Sequence, residues 1–75
     1  MHPSNKISTE NLADVFAYHP PRGDQAQRHA AIKAGAQAFA SIVLANAPDC
    51  ADRAAAVRHI REAMMTASAA IALEP

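Results

Sequence analysis

Alanine dominates this sequence and limits the core that it can build. Twenty of the 75 residues are alanine, whose side chain buries little surface. Burying a larger apolar side chain contributes roughly 1.5–3 kcal/mol, whereas ordering each residue costs about 1.5 kcal/mol. The larger apolar side chains are few, namely Leu12, Val15, Phe16, Ile32, Phe39, Ile42, Val43, Leu44, Val57, Ile60, Met64, Met65, Ile71 and Leu73.

A chain this short usually needs a disulfide, a bound metal or a partner to be stable. Cys50 is the only cysteine, so no disulfide can form within the chain. No cluster of cysteine and histidine has the spacing of a structural zinc site. Association with further copies remains, and we therefore expect a homo-oligomer.

The charges of the chain balance and exclude some partners. Seven Lys and Arg oppose seven Asp and Glu, which argues against a non-specific DNA-binding protein. A local basic cluster could still hold a small anion. Residues 1–11 lack the apolar stretch of a signal peptide, and the apolar run at 42–45 is too short to span a bilayer. We expect a cytoplasmic protein with no DNA or membrane partner.

Hydrophobic spacing predicts an all-α fold, with a short N-terminal helix followed by a long antiparallel helical hairpin. Residues 1–7 are polar and expected to be flexible, and residues 8–75 form the hairpin domain. Its helices are predicted at residues 8–17, 25–47 and 51–73. Ser8 or Thr9 would cap the first helix, Pro20 and Pro21 would end it in an extended segment, and Gly23 would supply a tight turn.

The two long helices carry separate apolar patterns. Asp24 and Gln27 have the spacing of a capping box at the start of the second helix. Gly35 within that helix suggests that another backbone approaches closely there. Asp49 or Cys50 would cap the third helix. The second helix presents Ile32, Gly35, Ala36, Phe39, Ile42 and Val43, and the third presents a coiled-coil-like seam of Val57, Ile60, Met64, Ala67 and Ile71.

Motifs for catalysis are absent from the sequence. Two glycines cannot form a phosphate-binding glycine loop, and there is no Gly-x-Ser-x-Gly motif. Asp52 and Glu62 alone cannot supply the rows of carboxylates that a magnesium-dependent nucleotide pyrophosphatase needs. His59 and Glu62 could share a metal ion, but a single pair is poor evidence for a metal site and is better explained by a solvated helix face. We expect no enzyme, no catalytic residue, no metal and no cofactor.

Basic and aromatic residues form the one distinctive set. Arg28 and Lys33 follow the aromatic bend that contains Tyr18 and His19, and guanidinium groups match phosphate geometry while aromatic rings stack on bases. Arg58 and Arg61 lie three apart on one face of the third helix. In the simpler interpretation, Arg28 pairs with Asp24, Arg58 pairs with Glu62, and the aromatic rings fasten the first helix to the hairpin.

The segment Phe16-Ala17-Tyr18-His19-Pro20-Pro21, followed by Gly23-Asp24-Gln25 and Arg28, resembles the hairpin domain of phage anti-CBASS and anti-Thoeris cyclic-nucleotide sponges. The ending Glu62-Ala63-Met64-Met65, with Ala67 and Ala69-Ala70-Ile71-Ala72, agrees as well. This resemblance covers residues 16–75. Where many relatives have Trp and Asn, this chain has Thr66 and Ser68, and Arg58, His59 and Arg61 make one face more basic.

The resemblance implies a phage protein for immune evasion that assembles as an oligomer, often a hexamer, and sequesters nucleotide signals intact between protomers. Such signals include cyclic dinucleotides, cyclic trinucleotides and, in some members, cyclic ADP-ribose isomers. The ligand-binding residues would be Tyr18, His19, Gln25, Arg28, Lys33, Arg58 and Arg61. A structural or protein-interaction module is the alternative, and a nucleotide hydrolase is a more distant one.

Overall fold

The computed structural model describes residues 7–75, which form three α-helices and no strand. These are α1 (Leu12–Phe16), α2 (Gln25–Asn46) and α3 (Ala51–Ala72). The predicted all-α fold, with a short helix before a long hairpin, is confirmed. The flexible segment expected at residues 1–7 falls outside the described residues except for Ile7, which is exposed.

Contacts at both ends show that α2 and α3 are antiparallel. Gln25, at the start of α2, donates a hydrogen bond from Nε2 to the main-chain oxygen of Ile71 near the end of α3 (2.9 Å). At the other end of the hairpin, Nη1 of Arg53, near the start of α3, lies 3.4 Å from the main-chain oxygen of Leu44, near the end of α2. These contacts pair opposite ends of the two helices, as the short connection between them predicts.

Four helix boundaries differ from those predicted, and one of them is the end of α1 at Phe16 rather than at residue 17. α1 begins at Leu12 rather than at residue 8, because the side-chain oxygen of Asn11 accepts the N–H of Ser8 (2.9 Å) and closes a turn ahead of the helix. Ser8 and Thr9 are therefore not its N-cap. α2 ends one residue early, since Ala47 is extended before Pro48. α3 also ends one residue early, at Ala72.

The capping box predicted at the start of α2 is wrong. The side chain of Asp24 caps no N–H of the helix and instead lies 3.5 Å from Nη1 of Arg28. The amide oxygen of Gln25 accepts the N–H of Arg22 at 3.0 Å. Gly23 adopts a φ of +54°, which confirms the tight turn before the helix. Cys50 holds the N-cap position of α3, again without a capping side-chain bond.

Burial within a single chain is slight. Of the described residues only Ile71 and Gln25 are buried, although the predicted α3 seam is otherwise half-buried. Phe39 and Ile42 of the predicted α2 stripe are 56% and 59% exposed. A Cβ built at Gly35 would meet nothing within 4 Å among residues 7–75, so the close backbone approach predicted there does not occur within one chain. The hairpin is left with apolar surface that it cannot bury itself.

Replacement of Gln25 by alanine should lower the free energy of unfolding by about 1–3 kcal/mol, because the N–H of Arg22 and the main-chain oxygen of Ile71 would each lose a partner. Urea unfolding at one fixed protein concentration measures this change. Exposed Gln27 provides the control, for which Gln27→Ala should change stability by no more than about 0.5 kcal/mol. Equal effects of the two substitutions would contradict this role of Gln25.

Candidate functional site

A pocket of about 430 Å³ opens where the Pro20-Pro21 segment passes α2 and α3, and we call it the bend pocket. Tyr18 and His19 line one side, His29 of α2 lines another, and the end of α3 closes it. Tyr18 remains 83% exposed, so its ring lies at the mouth of the pocket. The lining residues are Val15, Ala17, Tyr18, His19, Pro21, His29, Met65, Ser68, Ala69, Ala72 and Leu73.

His19 is held in this pocket by a short local contact. Its Nε2 lies 2.6 Å from the main-chain oxygen of Asp14, two residues before the end of α1. A carbonyl oxygen only accepts, so this ring nitrogen carries the proton and donates it. The rings of Phe16 and Tyr18 are 82% and 83% exposed, so these two do not fasten α1 to the hairpin as the simpler interpretation expects.

Beside the bend pocket, the residues after α3 turn back onto the start of α2, and we call this set of contacts the tail clamp. Arg28 donates from Nη1 and Nη2 to the two carboxylate oxygens of Glu74, at 2.7 and 3.0 Å. Gln25 donates to Oε1 of Glu74 at 3.2 Å, and Arg22 donates from Nη2 to the main-chain oxygen of Glu74 at 2.5 Å. The pairing of Arg28 with Asp24, considered from the sequence, is the longer contact at 3.5 Å.

The ion pair shifts the pKa of both partners. Hydrogen bonds from Arg28 first and from Gln25 second lower the pKa of Glu74 below its ordinary value. The hydrogen bond to Glu74 raises the pKa of Arg28. Arg28 thus remains charged, but its charge is neutralised by a bidentate carboxylate.

These shifts predict a pH dependence of folding. Because folding lowers the pKa of Glu74, the ionised carboxylate stabilises the fold. This contribution is fully present at pH values above the ordinary pKa of the group, near 4.5, and it is lost as the pH falls through the pKa of the folded chain. As the pH falls below about 4.5, the urea concentration at the midpoint of unfolding should therefore decrease more steeply for the parent than for Glu74→Gln. Exposed Glu10 is the control, since Glu10→Gln should follow the parent. If the urea midpoints of the parent and Glu74→Gln changed in parallel with pH, the ionised Glu74 would not stabilise the fold as inferred.

A third feature lies farther along the hairpin, in a groove of about 210 Å³ that we call the basic groove. Lys33 and Gln37 of α2 and Arg61 of α3 line it above an apolar floor that contains Ile60. Among residues 7–75 neither Lys33 nor Arg61 has an ion pair. Arg58 is exposed and does not line this groove, and its predicted pairing with Glu62 is not formed within the described chain.

The opposite side of the hairpin carries a larger and almost wholly apolar groove of about 650 Å³, which we call the apolar groove. Phe39 lies in it beside Gly35, with Ile60 and Met64 from α3. His59 also lines it, and its Nδ1 is 4.0 Å from Oε2 of Glu62. The described residues contain no group of three or more His, Cys, Asp or Glu that could hold a metal ion.

Six of the seven predicted site residues fall in three places, and Arg58 lies in none of them. Tyr18 and His19 share the bend pocket, Gln25 and Arg28 belong to the tail clamp, and Lys33 shares the basic groove with Arg61. His29, Ser68 and Glu74 were not anticipated. His29 directly follows Arg28 in the sequence, but nothing local indicates Glu74, whose partner Arg28 is 46 residues away.

Comparison with models of protein families gives a match to the family described as "Acb2/Tad1, hairpin domain", over residues 8–72. The chain belongs to this family. It is the anti-CBASS and anti-Thoeris sponge family, and the resemblance inferred from the bend and the ending of the sequence is confirmed. No curated protein and no solved structure matches the chain. The matched part of this hairpin domain includes the bend pocket residues up to Ala72 and the basic groove, whereas Glu74 lies two residues beyond it.

None of the helices in the described part of the hairpin domain has the length and apolar character needed to cross a membrane.

Proposed function

We propose that this hairpin domain binds and sequesters cyclic oligonucleotide second messengers, cyclic dinucleotides, cyclic trinucleotides or both, without cleaving them. Membership of the sponge family supports this function. Two cations point to the residues that would bind the ligand. Lys33 and Arg61 line one groove of the described hairpin, and neither has an ion pair there. Cations that no carboxylate neutralises are available to a phosphodiester.

Different groups in the proposed site have different roles. Tyr18, exposed at the mouth of the bend pocket, stacks on a base, and His19 borders the same space. Lys33 and Arg61 face phosphates. Arg58, three residues before Arg61, adds positive charge that can gather with its equivalents around a symmetry axis of the assembly.

The proposed sponge is a homo-oligomer, with a hexamer as the expected form. Its support is the small amount of apolar surface that one chain buries, together with the apolar groove around Phe39. A second copy of the chain that covers this groove would supply the burial that the hairpin lacks. The same groove also favours the second candidate function, a structural or protein-interaction module, which would assemble equally well but bind no nucleotide.

Recovery of the ligand tests whether the chemistry is sequestration. The protein is incubated with cyclic di-GMP and, separately, with a cyclic trinucleotide, then denatured and removed by filtration. We expect protein-bound nucleotide to return to the filtrate in its cyclic form. Accumulation of linear or hydrolysed nucleotide during the incubation would instead identify a hydrolase. A control with nucleotide alone measures spontaneous loss.

A further inference from the structure

Three of the four residues of the tail clamp are direct sequence neighbours of residues that line the bend pocket, and Gln25 is the exception. Arg22 follows Pro21, Arg28 precedes His29, and Glu74 follows Leu73, and in each pair the second residue named lines the pocket. The clamp thus joins the bend, the first turns of α2 and the end of α3. The contacts of the clamp therefore link three sides of the pocket to one another.

The guanidinium of Arg28 is committed within this clamp. Both of its Nη atoms donate to Glu74, and the carboxylate of Asp24 lies 3.5 Å from Nη1. Two carboxylates therefore lie beside the guanidinium of Arg28, a group whose planar shape would otherwise match a phosphate. A phosphate that approached Arg28 would meet two negative charges and would have to displace the bidentate partner.

The other hydrogen bonds of Glu74 are also made with residues of the hairpin. Its Oε1 accepts from Gln25, the one buried polar residue in the described chain, and its main-chain oxygen accepts from Arg22. Gln25 in turn donates a hydrogen bond to the main-chain oxygen of Ile71, which is the one buried apolar residue among residues 7–75. Glu74 therefore connects the most buried point of the hairpin to the edge of the bend pocket.

We propose that Glu74 is a positioning residue for the bend pocket, which acts through Arg28 and Gln25 to hold the end of α3 against the bend. Arg28 in this assignment contacts Glu74 and not the ligand phosphate. The inference rests on the proposed function for the nature of the ligand, whereas the positioning itself can be tested without any ligand.

Binding of cyclic di-GMP to Glu74→Ala, Glu74→Gln and Arg28→Ala tests the proposal by titration calorimetry. Glu74→Ala and Arg28→Ala should each weaken binding by about tenfold, as positioning residues do, and Glu74→Gln should lose less because it keeps an acceptor for Gln25. The salt dependence of binding should equal that of the parent in all three. Tighter binding by Glu74→Ala, or a weaker salt dependence in Arg28→Ala, would show that Arg28 is a direct phosphate ligand and overturn the proposal.

Ligand-free NMR spectra supply the readout that does not depend on the function. The ring resonances of His29 and the amide resonance of Ser68, both of which line the bend pocket, should shift in Glu74→Ala and Glu74→Gln, but not in the control Glu10→Ala. Circular dichroism and native mass establish that each variant folds and assembles as the parent does. Unshifted resonances would overturn the positioning role. If the parent binds no cyclic nucleotide, the proposed function fails, and these spectra alone decide the role of Glu74.

Discussion

Native mass spectrometry of the Phe39→Asp variant is expected to show a loss of assembly, because Phe39 lies in the apolar groove and is 56% exposed within one chain. Burial of a phenylalanine contributes roughly 1.5–3 kcal/mol, and an unpaired carboxylate in an apolar interface adds a further cost. The loss of about 3 kcal/mol per contact raises a dissociation constant by roughly a hundredfold. The variant should therefore dissociate at concentrations where the parent remains assembled.

Ser41 offers a matched control for this substitution. It is exposed on the same helix, two residues from Phe39, and it does not line the apolar groove. Ser41→Asp adds the same charge and should assemble like the parent. Assembly of Phe39→Asp with the parent's mass would show that the groove is not the interface between copies. A parent that is a folded monomer at micromolar concentration would contradict the oligomer itself.

Loss of the Tyr18 ring should produce the largest decrease in ligand affinity. Stacking of a base on an aromatic side chain contributes roughly 1–3 kcal/mol, which corresponds to about a 5- to 150-fold change in the dissociation constant. Tyr18→Ala should weaken binding by this factor in titration calorimetry, while Tyr18→Phe should bind nearly as the parent does. The fold should be unaffected, because the ring is 83% exposed.

Phe16 is the natural control for Tyr18. It is an aromatic residue two positions earlier with nearly the same exposure, 82%, and it does not line the bend pocket. Phe16→Ala should therefore leave the affinity unchanged. Equal affinities for the parent and Tyr18→Ala, or equal losses in the two alanine variants, would place the base elsewhere on the surface.

The helices were predictable because their determinants are local. Pro20, Pro21 and Pro48 interrupt helices wherever they occur, and the spacing from Val57 to Ile71 marks one face of α3. The capping residues were less predictable, since a capping side chain has several possible partners. Asp24 lies beside Arg28 rather than over the first N–H groups of α2, and no spacing rule ranks these two interactions.

The candidate site was predictable only where its residues are neighbours in sequence. Tyr18 and His19 are adjacent and share the bend pocket. The meeting of Lys33 with Arg61 depends on the register between α2 and α3, which the pattern of either helix alone does not fix. The pairing of Arg28 with Glu74 spans 46 residues and relies on a turn after α3 that carries no sequence motif.

Titration calorimetry with a panel of cyclic dinucleotides and cyclic trinucleotides is the decisive measurement of the proposed sequestration. We expect saturable, submicromolar binding of at least one member, with a stoichiometry that divides evenly into the number of chains in the assembled protein. The linear dinucleotide with the same bases is the matched control and should bind more weakly. If the folded and assembled protein bound no cyclic nucleotide of the panel, the proposed sequestration would be wrong.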